Sequence, residues 1–193
     1  MHGLINRAIQ NFLGDTYGDM LWHAVAEEAG VGAQGFEAML RYEDAVTDAV
    51  LDAASRQLAK PREALLEDLG MFLVSLEPLR RLMRFGGVDY VDFLSSLDEL
   101  RDRARLAVSD LDMPDLTLTA RGANHFVLSC RAAHPGFAPV FNGVLRAMAD
   151  DYGALALIDL GPEEDGEGKI AIELLQSQFA SGRRFDLARP EAS

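Results

Sequence analysis

The stretch Val88-Asp89-Tyr90-Val91-Asp92-Phe93-Leu94-Ser95-Ser96-Leu97-Asp98-Glu99-Leu100-Arg101-Asp102-Arg103-Ala104-Arg105-Leu106-Ala107-Val108 reads as one long helix. Its apolar stripe runs Tyr90, Leu94, Leu97, Ala104, Val108, at the three- and four-residue spacing of a buried face, and Arg101 takes the position that completes it. Asp89, with Asp92 three residues on, is the candidate N-cap. A guanidinium keeps its proton at working pH, so an inward Arg101 needs a partner anion, acceptors or water. The alternative is that its aliphatic stem covers apolar surface while the head reaches solvent.

Before this helix the chain reads as mostly helical. Leu4 to Leu13 forms a short helix ended near Gly14; Tyr17 to Ala29 forms a second, with Asp15 or Thr16 as N-cap and Gly30 past its end. Val31 to Glu43 is irregular, with a short helix around Phe36 to Leu40. Thr47 to Ala59 is amphipathic, Pro61 opens Arg62 to Leu76, and Pro78 starts a short helix ending at Gly86-Gly87. After Ser109-Asp110 the period changes to two. Pro114 introduces Leu116 to Thr119, and the turn Gly122-Ala123-Asn124 leads to His125 to Cys130, a hairpin. A helix from Phe137 to Tyr152 precedes a second hairpin, Ala154 to Ile158 with Lys169 to Leu175. The expected fold is therefore α+β: a helical N-terminal subdomain, then a four-stranded antiparallel sheet with a packed helix. Residues 1–179 are expected to form one domain and residues 180–193 a polar, frayed tail.

Composition narrows the function. Apolar content of 49% and charged content of 25% suit a globular protein, and no apolar run reaches the roughly 18–20 residues of a membrane span. The N-terminus lacks the pattern of a signal peptide, and the single Cys130 excludes an internal disulfide, so the expected location is cytoplasmic. A net charge of −13 disfavours nucleic acid and anionic membranes as partners. There is no phosphate-binding glycine loop and no nucleophile elbow; His2, His23, His125 and His134 are scattered, and Cys130 reads as a small buried hydrophobe. No catalytic activity and no metal site are expected.

Several words and their order resemble the heme nitric oxide/oxygen binding (H-NOX) domain family. They are Met1-His2-Gly3-Leu4-Ile5-Asn6, Tyr17-Gly18 with Trp22, Asp48 to Ser55, Leu69-Gly70, Phe93 to Leu100, Pro114 and Pro135-Gly136, together covering the chain from Met1 to about Leu175. The resemblance implies a sensor that changes shape on ligand binding and signals to a separate cyclase, chemoreceptor, histidine kinase or cyclic-dinucleotide enzyme. It also implies a heme, with Pro114 pressing on the porphyrin face. Two family positions differ here. The proximal histidine should follow Leu-Asp-x-Leu, but Leu97-Asp98-Glu99-Leu100 is followed by Arg101. The propionate signature Tyr-x-Ser-x-Arg has two registers: Ser129 and Arg131 kept with Val127 for tyrosine, or Cys130, Ala132 and His134 with the whole signature lost. The second needs no insertion before Pro135-Gly136.

Arginine has no lone pair to donate to iron, which argues against ordinary histidine-ligated heme. Three readings follow. The pocket takes another small, anionic ligand, with Arg101 and Arg131 as donors and Ile5, Leu97 and Val127 as apolar walls. The pocket has collapsed, with Arg101 paired to an internal acid. Or the domain is a heme-based nitric oxide/oxygen sensor with altered or absent proximal ligation.

Overall fold

Apolar residues at helical spacing build the first half of the molecule, and alternating ones build most of the second, in a computed structural model that describes residues 1–164 and 166–176. The helices are α1 (Gly3–Tyr17), α2 (Asp19–Ala29), α3 (Asp44–Leu58), α4 (Arg62–Ser75), α5 (Glu77–Arg84), α6 (Tyr90–Ser96), α7 (Leu100–Ala107) and α8 (Phe137–Tyr152). The strands are β1 (Asp115–Ala120), β2 (His125–Arg131), β3 (Leu155–Leu160) and β4 (Glu167–Gln176). They form one antiparallel sheet in the order β1-β2-β4-β3. This is the α+β architecture expected. The tail expected over residues 180–193 lies outside the described residues.

Three local readings need correction. Helix α1 continues through Gly14 to Tyr17 and ends at Gly18 (φ 93°), whose N–H bonds Gly14 O at 2.9 Å. Burial of Phe12 and Leu13, with Tyr17 edge-on to Phe12, outweighs the low helix propensity of Gly14. Consequently α2 starts at Asp19, capped by Gly18 rather than by Asp15 or Thr16. No helix forms around Phe36 to Leu40; Phe36 anchors that loop by packing on Trp22 and Tyr42. Finally, the long helix is two. A 3-10 turn at Leu97–Glu99 separates α6 from α7.

Two apolar cores result. One joins α1 to α4 through Ile9, Phe12, Trp22, Val50 and Leu65; the other joins the inner sheet face to α6, α7 and α8 through Phe93, Leu97, Leu128, Leu145 and Ile170. Helices α4 and α8 tie them together at backbone contact. A Cβ built on Gly70 would lie 2.0 Å from Val140 O, and one on Gly143 would lie 1.9 Å from Glu67 O. Only glycine admits that approach.

Candidate functional site

The 3-10 turn decides where Arg101 points. In a 3-10 helix residues i and i+3 eclipse, so Leu97 and Leu100 stack on one face and both are buried. Leu100 thus takes the inward place that an unbroken helix assigns to residue 101. Asp89 caps α6 as expected, accepting from Asp92 N at 2.9 Å. Asp98 pins the turn to the sheet by accepting from Leu118 N at 2.7 Å. Arg101 is turned to the rim, about a third exposed, where its guanidinium pairs with Asp115 at the start of β1. Neither Leu100 nor Asp115 was singled out by sequence reasoning. The weak helix formers Ser95, Ser96 and Asp98 were the one available signal that the helix breaks.

The seam between the two cores holds the other candidates unequally. Ile5 lines a cavity of about 40 Å³ with Ile9, Leu51, Leu69, Val140 and His134. Leu97 and Pro114 are buried in the sheet-side half. Val127, Ser129 and Arg131 do not reach the seam. They alternate with the inward Phe126, Leu128 and Cys130, so they lie on the outer face of the sheet, where Arg131 pairs with Glu167 at 3.1 Å. The inner strand register and the turn after it instead carry Cys130 and His134 towards the interior.

His134 is nine-tenths buried, with Nδ1 2.7 Å from Pro135 O and Nε2 3.4 Å from Asp48 Oδ1. A carbonyl only accepts, so Nδ1 carries a proton and only Nε2 faces the carboxylate. Asp48 on α3 also accepts from Arg62, whose second arm reaches Asp52 at 3.2 Å. Burial pushes the Asp48 carboxyl up, but the Arg62 and His134 contacts outweigh it and hold the group below its ordinary value. His2 closes the opposite end of the seam. It is buried, its Nδ1 accepts from Leu4 N at 3.2 Å, and its Nε2 lies 3.5 Å from Asp110. Beside it Asp112 receives His2 N at 2.6 Å and Arg41 at 2.9 Å. A wider cleft of about 280 Å³ abuts the small cavity, sharing Leu66, Pro135 and Gly136 with it, and adds Arg62, Glu63 and Glu163. Cys130 is a packing group: burial, and then the charge of Glu163, push its thiol up to about 12.

The sequence profile of the Haem-NO-binding family matches residues 2–158. The soluble guanylate cyclase gcy-31 of Caenorhabditis elegans is 23% identical over 155 residues, covering 78% of this chain and 22% of that protein. The chain therefore spans about a fifth of that relative's length. Among solved structures, a mutant of the unliganded Fe(II) H-NOX protein from K. algicida superposes with a TM-score of 0.80 at 15% identity, over 93% of this chain and 99% of that one. An oxygen-binding H-NOX domain related to soluble guanylate cyclases gives 0.73 at 15% identity, over 91% and 96%.

The residues present do not fit a histidine-ligated heme. Arg101 has no lone pair and is engaged by Asp115. His2 and His134 have both ring nitrogens turned to protein groups, while His23 and His125 are exposed on the outside. The 40 Å³ cavity has room for a few waters, against the roughly 300–1,000 Å³ of a small-molecule pocket.

Proposed function

The chain belongs to the Haem-NO-binding family, and from that premise we propose that it is a sensory or regulatory domain that does not hold heme through a proximal histidine. The observation that carries this reading is the placement of residue 101: an arginine turned to the rim and held by Asp115, with Leu100 in the inward position. Its output passes to a separate signalling protein, such as a cyclase, a histidine kinase or a cyclic-dinucleotide enzyme. Support for that division of labour comes from the relative named a guanylate cyclase, of which this chain matches about a fifth. The domain itself catalyses nothing in this reading. Input is a small ligand that opens the seam, whose 40 Å³ cavity joins the larger cleft at Leu66, Pro135 and Gly136. Arg62, Asp48 and His134 are the polar groups such a ligand meets first, and Ile5 supplies the apolar wall.

The test is a spectrum. Full-length protein is expressed with added heme precursor, passed through gel filtration and examined for Soret absorbance. The expected result is protein without stoichiometric heme. A full Soret band surviving filtration overturns the reading and favours a heme sensor with altered ligation. Native mass spectrometry of the same sample then looks for a co-purified small molecule. Arg101→His is expected to add no stoichiometric heme by itself, because the 3-10 turn aims residue 101 at Asp115. Stoichiometric uptake by that variant would show that the seam is open and that residue 101 can face it.

A further inference from the structure

A histidine at the seam holds a lone pair with nothing to accept. His134 is nine-tenths buried, and its Nδ1 proton is spent on Pro135 O at 2.7 Å. The neutral ring then carries no proton on Nε2. Nε2 is buried without a hydrogen-bond partner, and the Asp48 carboxylate oxygen 3.4 Å away is itself an acceptor. Two acceptors therefore face each other where the cavity of about 40 Å³, lined by His134, meets the cleft of about 280 Å³, lined by Asp48. Thr47 is the other polar side chain on the cavity wall. Its hydroxyl proton goes to Asn6 Oδ1 at 2.7 Å, which leaves its oxygen as an acceptor too. A buried acceptor without a donor costs free energy, so the junction favours a guest that brings N–H or O–H.

The cleft decides the charge of that guest. Asp48, Glu63 and Glu163 line it against the single guanidinium of Arg62, which is already shared between Asp48 and Asp52. An anion would meet three like charges there, whereas a cation meets three counter-charges. Leu66 and Pro135, common to cleft and cavity, offer apolar surface beside the polar junction, and the cleft is close to the roughly 300 Å³ at which small-molecule sites begin. We infer that the junction is a binding site for a small organic ammonium ion, its N–H groups donating to His134 Nε2 and the Asp48 carboxylate and its short apolar chain lying on Leu66 and Pro135. The sign is the reverse of the anionic ligand expected from Arg101 and Arg131, which are engaged by Asp115 and Glu167 away from the seam. This ligand class rests on the sensory reading proposed above, whose seam it occupies.

Butylammonium, 1-butanol and butyrate share a chain and differ in their head group, so they test it together. Each is titrated into isotope-labelled full chain whose Soret absorbance has first been recorded, and the imidazole nitrogen resonances of His134 are followed by NMR. The free protein is expected to show a neutral ring with its proton on Nδ1. Butylammonium is expected to shift Nε2 and to bind at least about tenfold more tightly than butyrate, with 1-butanol between them. The double variant Glu63→Gln/Glu163→Gln changes two exposed residues. It is expected to keep the circular dichroism spectrum and to weaken butylammonium severalfold while leaving 1-butanol unchanged. His134→Phe is expected to weaken both. A ring already doubly protonated in the free protein, with its Nε2 proton on Asp48, overturns the inference; so does tighter binding of butyrate or 1-butanol than of butylammonium. A full Soret band overturns the sensory reading and this site together, because heme would fill the seam. Colourless protein in which butylammonium leaves Nε2 unmoved overturns the ligand class alone.

Discussion

Arg101 and Cys130 show how little a residue's identity says before its neighbours are known. A permanent cation in an apolar stripe suggests an internal counter-charge, and Arg101 does meet a carboxylate. That carboxylate belongs to a strand fourteen residues on and lies at the surface. Cys130 is a lone thiol in a chain with four histidines, yet burial and the Glu163 charge push it up to about 12. Because the folded thiol keeps its proton where the unfolded one, near 8.5, loses it, Cys130 subtracts stability as pH rises above about 8.5. We expect the native protein to resist a thiol reagent at pH 8 and to react stoichiometrically once denatured. The Cys130→Ala variant should lose that component of the alkaline decline. Rapid labelling of the native thiol would contradict the burial argument.

At the scale of elements, the instructive failure is the helix read as continuous from Val88 to Val108. Periodicity alone carried the stripe through residue 101, whereas the chain tightens at Leu97–Glu99 and shifts the buried series to Tyr90, Phe93, Leu94, Leu97 and Leu100. The Asp98 bond to Leu118 N holds that tighter turn, and no local pattern discloses a partner twenty residues away. Most other elements were readable because capping and period agreed: Gly30 ends α2, Asp89 caps α6, and Gly153 ends α8 in the left-handed region. The α4–α8 contact is the element-scale joint on which the two cores depend. Gly143→Ala forces a methyl against Glu67 O, where a Cβ lies 1.9 Å away. The expected loss is about 1–3 kcal/mol or more, read by chemical denaturation. A loss under about 0.5 kcal/mol would mean that the helices separate easily.

For the whole molecule, the two cores are pinned at their seam by charge as well as by packing. Asp48 on α3 gathers Arg62 from α4 and His134 from the turn before α8. Its carboxyl is held below the ordinary value, so its contribution is complete above about pH 4 and is lost as pH falls through the folded value. We expect Asp48→Asn to be less stable than the parent at pH 7, and the difference to shrink on acidification below about pH 4. Thermal unfolding across that range checks it; a difference independent of pH would assign Asp48 a packing role only.

The sequence by itself determined the α+β class, the element order, the kinship with H-NOX domains and the departure at residue 101. Each of these rests on period, caps or words contained in short stretches of chain. Tertiary structure alone decided which way the departure points. It put Leu100 inside and Arg101 against Asp115, turned Val127, Ser129 and Arg131 to the outer face, and brought His134 to Asp48. The physical reason is that a one-residue change of phase, in a helix or a strand, moves a side chain from core to surface. That phase is set here by contacts between residues far apart in the chain.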